Sequence, residues 1–96
     1  MILFEWDPRN IRHIVEDYPQ RGNTIIEVES IFSDPEIKIK RATKTDDEQL
    51  FAAIGIGASG IVKVVVFIIN NGCVRPISCW PANPQTKRFY YESSKK

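Results

Sequence analysis

Sulfur and imidazole are scarce in this chain of 96 residues, which holds two cysteines, one methionine and one histidine. A single His without a Cys-x-x-Cys pair supplies no ligand set for a structural zinc site, and no metal or cofactor is expected. Cys73 and Cys79 fall within one predicted strand, where their Cα atoms lie roughly 20 Å apart. A disulfide needs under about 7 Å, so no internal bridge is expected. Long apolar runs are missing as well. The longest, at 61–69, is interrupted by Lys63 and falls far short of the ~20 residues of a membrane helix. An acidic residue as early as Glu5 argues against a secretory leader, so cytoplasmic residence is the expectation. Charge of one sign is also lacking. Thirteen Lys and Arg against twelve Asp and Glu leave a net +1, so a nucleic-acid role has to rest on local clustering rather than bulk charge. There is no internal repeat and no low-complexity tract.

What is present suits one small domain spanning 1–96. Five Phe, three Tyr and two Trp supply enough large apolar side chains for one modest core without covalent staples. Residues 1–6 are bulky and apolar, which predicts a short, mostly buried strand, with Phe4 and Trp6 in the core. Asp7-Pro8 reads as an N-cap followed by proline at the first helical position. Ile11, Ile14, Val15 and Tyr18 then recur at helical spacing, and Pro19 stops this helix. Thr24-Ile25-Ile26-Glu27 has the form of a capping box, a hydroxyl followed three residues later by a carboxylate that reaches back. Val28, Ile31 and Phe32 continue that second helix to Asp34-Pro35.

From Glu36 the hydrophobic period changes to two. Residues 36–40 alternate as a half-buried strand does, and 42–48 read as a polar loop. A second apolar run follows at 50–56, and Gly57-Ala58-Ser59-Gly60 makes a hairpin turn. Residues 61–69 are rich in Val and Ile on both parities, as in a central strand buried on both faces. Asn70-Asn71-Gly72 is another hairpin signal. The last strand covers 73–80, and Pro76 within it argues for a sheet edge or a bulge. Asn83-Pro84 repeats the cap-then-proline device before a short basic helix at 85–92, with 93–96 expected to fray. The predicted class is α+β: an antiparallel meander with two helices before it and a short one after it.

Several of these segments, taken in order, resemble the BrnT family of toxins. Glu5-Trp6-Asp7-Pro8-Arg9-Asn10-Ile11-Arg12-His13 is similar to the opening of that family. The stretch from Thr24 through Phe32 to Asp34-Pro35 is similar to its second helix. Ala53-Ile54-Gly55 resembles its central sheet, Arg75-Pro76-Ile77-Ser78-Cys79-Trp80-Pro81-Ala82 its last strand, and Tyr90 its final helix. The resemblance implies a RelE-like fold, metal-independent RNA cleavage that stops translation, and neutralisation by a cognate antitoxin, itself a small DNA-binding protein. It also implies a possible homo-oligomer, or a heterotetramer with the antitoxin. The chain departs from the family pattern where an Arg and a preceding acid are common, having Leu50 and Gln49 there. It also has Trp80 where an Arg often ends the last strand, and Thr86 where a Glu often opens the final helix.

Metal-free RNA cleavage needs a group to take the ribose 2′-OH proton, one to protonate the leaving oxygen, and cations for the developing phosphorane charge. His13 is the only imidazole and the natural titrating candidate; the alternative is a partly exposed structural histidine. Arg75, Lys87 and Arg88 are candidate phosphate cations, with Arg able to grip two oxygens. Arg75 lies on the parity of Cys73 and Ile77, where a charge serves either a groove or an anchoring ion pair. Lys87 and Arg88 fit equally a solvated helix face. Arg12 beside His13 adds charge. Glu48 is either a base or an ordinary loop acid. Trp80 either stacks on an RNA base or packs over Pro81. Lys38, Lys40, Arg41 and Lys44 form a basic run that is solvent-facing or touches RNA. The catalytic candidates are thus His13, Arg75, Arg88 and Glu48, and the RNA-binding candidates Arg12, Lys87 and Trp80. The function they point to is a toxin ribonuclease. The alternative is a catalytically weak or inactive toxin-like module that binds an antitoxin-like protein or RNA.

Overall fold

A computed structural model describes residues 1–44 and 48–93. Two helical segments come first, α1 (Pro8–Ile11) and α2 (Ile25–Ile31). Strands β1 (Lys38–Lys44), β2 (Gln49–Ile56), β3 (Val62–Asn70) and β4 (Cys73–Pro81) follow, and α3 (Pro84–Ser93) closes the chain. The strands form one antiparallel sheet in the order β1-β2-β3-β4. The predicted α+β class and meander are therefore present. No helix among the described residues is long and apolar enough to cross a membrane.

Side-chain alternation divides the molecule into two layers. Val65 and Phe67 of β3, Ala53 of β2 and Cys79 of β4 face α2 and the segment after α1, where Ile14, Val28 and Ile31 are fully buried. Each such side chain stabilises the fold by about 1.5–3 kcal/mol relative to exposure. On the opposite face Ala52, Ile54, Val62 and Val64 pack with Ala82 and Tyr90, so α3 covers only one end of that face. This is why β3 is apolar on both parities.

Local signals decide most boundaries. Asp7 caps α1 through Oδ1, which accepts from the backbone N–H of Arg9 and Asn10, while Asn10 Oδ1 accepts from the N–H of Asp7. The reciprocal capping box thus sits here, one helix earlier than expected. Thr24 does cap α2 by accepting from the Glu27 N–H at 2.9 Å, but the Glu27 side chain does not reach back. It turns inward to Ser59 and Lys63, because a buried ammonium offers it more than an exposed helix end does. Asn71 and Gly72 both have positive φ (52° and 77°), the requirement of the tight β3–β4 turn. A Cβ on Gly57 would stand 2.4 Å from Ser30 Oγ and 2.9 Å from the Glu27 carbonyl oxygen, so the β2–β3 turn needs glycine to lie against α2.

Four expectations are corrected. The first helix is not one regular unit: α1 runs into a π-turn at Arg12–Glu16, and Pro19 opens a short 3-10 turn, Pro19–Arg21. Residues 1–6 make a single parallel bridge, Phe4 to Val74, and Met1, Ile2 and Leu3 are exposed. The Glu5 N–H donates to the Val74 carbonyl and the Val74 N–H to the Leu3 carbonyl, and the ladder goes no further because Pro76 has no N–H to give. The segment 42–48 is not all loop, since β1 continues to Lys44; residues 45–47 and 94–96, including most of the expected frayed tail, lie outside the described residues. Ile61, just before β3, and Ile69 near its end are exposed, while Lys63 within the mostly buried strand is 1% exposed.

The β4 edge of the sheet is covered by side chains. At β4 the Pro76 carbonyl accepts from Asn10 Nδ2, and the Cys79 carbonyl accepts from Arg21 Nη1 and Asn23 Nδ2. These side chains occupy acceptors that would otherwise template another strand. Pro76 sits beside a register shift between Val66 and Phe67, so the edge-or-bulge expectation meets both at once. Cys73 and Cys79 are free thiols, and burial pushes that of Cys79 up to about 12.

Candidate functional site

An open groove of about 460 Å³ lies where α1, its π-turn and the β3–β4 edge meet. It is lined by Arg9, Asn10, His13, Glu48, Ile68, Arg75 and Ile77. The cap of Asp7 fixes where α1 begins, and the four-residue spacing of Arg9 and His13 puts both on one helical side. Asn10 is buried and locks the helix onto β4 by donating to the Glu5 and Pro76 carbonyls at 3.0 and 3.1 Å. Arg75 and Ile68 are register partners on β4 and β3. Glu48, just before β2, completes the lining. Three segments distant in sequence thus bring His13, Glu48 and Arg75 together.

The charges in the groove are not equivalent. Arg75 is mostly buried, with Nη1 3.0 Å from Asp7 Oδ2 and 3.5 Å from Glu5 Oε1. The hydrogen bond from Arg75, with those from the Asn10 and Arg9 backbone, holds the Asp7 carboxyl below the usual aspartate range despite some desolvation. Asp7 in turn raises Arg75, as does Glu5. A phosphate reaching this guanidinium must compete with two carboxylates. Arg9, by contrast, is 86% exposed and only 3.9 Å from Asp7 Oδ2, a weak tie at a solvated position. The His13 ring is about half exposed, packs edge-on against Tyr18 with centroids 5.5 Å apart, and keeps Nδ1 3.9 Å from Asp17 Oδ2. That is too long for a hydrogen bond, so the imidazole is positioned by packing and open to a ligand.

The other sequence candidates lie elsewhere. Arg12 is exposed in the π-turn outside the groove lining. Trp80 and Thr86 line a second groove of about 320 Å³ with Lys40, Asn83 and apolar sheet residues. Lys87 and Arg88 are exposed on α3 and line neither groove. Leu50 and Gln49 are half-buried at the start of β2, where Gln49 Nε2 donates to the Ala42 and Leu50 carbonyls.

Sequence reasoning missed Arg9 and Asn10 as groove residues, and Glu5 and Asp7 as partners of Arg75. The helical spacing of Arg9 and His13 could have found the first. The pairing of Arg75 depends on the parallel bridge between Phe4 and Val74, for which the sequence carries no signal. A buried polar cluster was also missed. Lys63 Nζ donates to Arg21 O at 3.0 Å and Asn23 Oδ1 at 2.9 Å, and sits 3.1 Å from Glu27 Oε2. On the α3 side Asp34 accepts from Tyr90 Oη at 2.6 Å and the Ile56 N–H at 2.8 Å. Among the described residues no group of three or more His, Cys, Asp or Glu side chains is arranged to hold a metal ion. No protein-family model matches the chain, and no curated protein matches its sequence.

Proposed function

We propose that this protein is the toxin-like member of a toxin–antitoxin pair, with a RelE-like ribonuclease site in the groove beside α1, acting on RNA in the cytoplasm. The observation that carries the reading is the convergence of His13, Glu48 and Arg75 on one open groove with an exposed cation, Arg9, at its rim. His13 is the group that takes or returns the proton of the ribose 2′-OH, and Glu48, in the same lining, is the second acid–base group. Arg9 receives the phosphate, and Arg75, paired with Asp7 and Glu5, stiffens the floor. The antitoxin partner is the occupant of a wholly apolar groove of about 270 Å³ on the α2 face, where Ile2, Ile39 and Ile69 stand half exposed. Apolar surface gathered in this way is characteristic of interaction sites.

One observation favours a second reading, a binding module with little or no catalysis. Arg75 is already neutralised by Asp7 and Glu5, which leaves Arg9 as the main cation for phosphorane charge. The test is growth after induced expression in a bacterial host, comparing the wild type with His13→Ala and Arg9→Ala, both half-exposed or exposed positions that leave the core untouched. Arrest by the wild type that both substitutions relieve, with soluble variants, supports the ribonuclease. RNA cleavage by the purified His13→Ala protein should then fall about 100-fold or more. Soluble wild type without arrest and without cleavage overturns it in favour of the binding module.

A further inference from the structure

The two tryptophans are used differently. Trp6 packs against the core and donates its indole N–H to Glu29 Oε2 at 2.8 Å. Trp80 is half-buried on the other face, and among the described residues its indole stacks on no ring and its N–H finds no acceptor. That N–H is not sealed from solvent either. Part of the indole packs against the cluster that holds Ala82 and Tyr90, and part of it lines the 320 Å³ groove.

The groove has the chemistry of a site for one planar ring. Its volume lies at the lower end of the ~300–1,000 Å³ of small-molecule sites. Its floor is apolar, with Ala42 and Ala52 giving depth beside Ile54, Val64 and Val66. Thr86 adds a hydroxyl and Asn83 the Nδ2 of its amide, its Oδ1 being held by the Thr86 backbone N–H as the α3 cap, and Lys40 supplies a cation near the Phe89 ring.

The groove opens on the sheet face that also carries Ile68 of the first one. Val64, Val66 and Ile68 alternate with the inward Val65 and Phe67, so all three lie on the same sheet face. Val64 and Val66 floor the second groove and Ile68 the first. Trp80 pairs with Val64 and Arg75 with Ile68, a separation of four residues, or about 13 Å along the strand. That is the length of a few nucleotides.

We infer that Trp80 is the stacking platform of a subsite for one base of a single-stranded RNA whose backbone continues along the sheet face to the His13 groove. The inference rests on the ribonuclease reading and adds to it how the substrate is held. A base lies on the indole, Asn83 and Thr86 meet its edge, and Lys40 faces the adjoining phosphate.

The test is the affinity of a fluorescently labelled 2′-O-methyl octaadenylate, which lacks the attacking hydroxyl and stays intact. Trp80→Leu keeps apolar bulk without a stacking face, while Trp80→Phe keeps a ring. The expected result is about ten- to hundredfold weaker binding for Trp80→Leu, near-normal binding for Trp80→Phe, and an equal loss when the wild type is given an abasic octamer. Equal binding by wild type and folded Trp80→Leu overturns the subsite while the ribonuclease reading stands. An abasic octamer that binds as tightly as octaadenylate overturns stacking in the same way. No binding by the wild type, together with no cleavage, overturns both.

Discussion

Replacing Lys63 by Met should be the most damaging conservative change in this fold. The ammonium is saturated by Arg21 O, Asn23 Oδ1 and Glu27 Oε2, and the side chains of the ion pair are 1% and 5% exposed. Methionine matches the length of the stem, so no cavity of consequence forms. What is lost is the cation bonded to Glu27, together with a donor for Asn23 Oδ1 and Arg21 O. Removing one partner of such a pair costs about 3–5 kcal/mol, out of a total of roughly 5–15 kcal/mol for a protein of this kind. At about 4–8 °C per kcal/mol for a domain of this size, Tm should fall by at least ~12 °C. Urea unfolding followed by circular dichroism at pH 7 gives the free energy directly. The double variant Glu27→Leu/Lys63→Met removes both charges and should recover most of the loss, since a buried pair is often no better than apolar residues of similar size. A Lys63→Met protein within ~1 kcal/mol of wild type, or strictly additive single and double variants, would refute the view that the two charges depend on each other.

Tyr90→Phe removes the donor to Asp34 and should cost about 1.5–3 kcal/mol, the worth of a hydrogen bond to a charged group, read from the urea midpoint. Because α3 is held at Tyr90, hydrogen exchange in 84–93 should speed up more than in β2 or β3; uniform acceleration would contradict a local latch. Acid should destabilise the protein through Asp7, Glu27 and Asp34. Hydrogen bonds from Arg75 depress Asp7. Burial pushes Glu27 and Asp34 up, but bonds from Ser59 and Lys63, and from Tyr90, Ile56 and Glu36, outweigh it. All three are thus lowered in the fold. Their contribution is complete above the ordinary values of 3.8 and 4.5 and is lost as pH falls through the folded values. The urea midpoint should therefore be level near neutrality and drop steadily below pH ~4.5; a midpoint that stays level to pH 3 would contradict the assignment.

Much of the fold was legible because its signals are local. Asp7-Pro8, Thr24 and Asn83-Pro84 start helices by satisfying N–H groups within three residues, and Gly72 closes the β3–β4 hairpin through its own φ. The two-residue period of 36–40 and the apolar run of β3 reported strand, and the second reported burial on both faces. Candidate residues could likewise be named by type: the only His, an Arg on a strand, a Trp at a strand end.

Position relative to one another was a different matter. His13 and Arg75 are 62 residues apart in the chain, from the numbering alone, and share a groove only because Asn10 pins α1 to the β4 edge. Arg75 became an anchored charge because a parallel bridge sets Glu5 and Asp7 beside it. Lys63 interrupts an apolar run, and it is buried there because Arg21, Asn23 and Glu27, some forty residues earlier in the chain, converge to satisfy it. Lys87 and Arg88 read as site cations, yet α3 docks through Tyr90 and turns them to solvent away from both grooves. The sequence by itself determined the elements, since capping, turn geometry and hydrophobic period act over a few residues. Only the tertiary structure decided which charges meet, because that depends on packing between segments far apart along the chain.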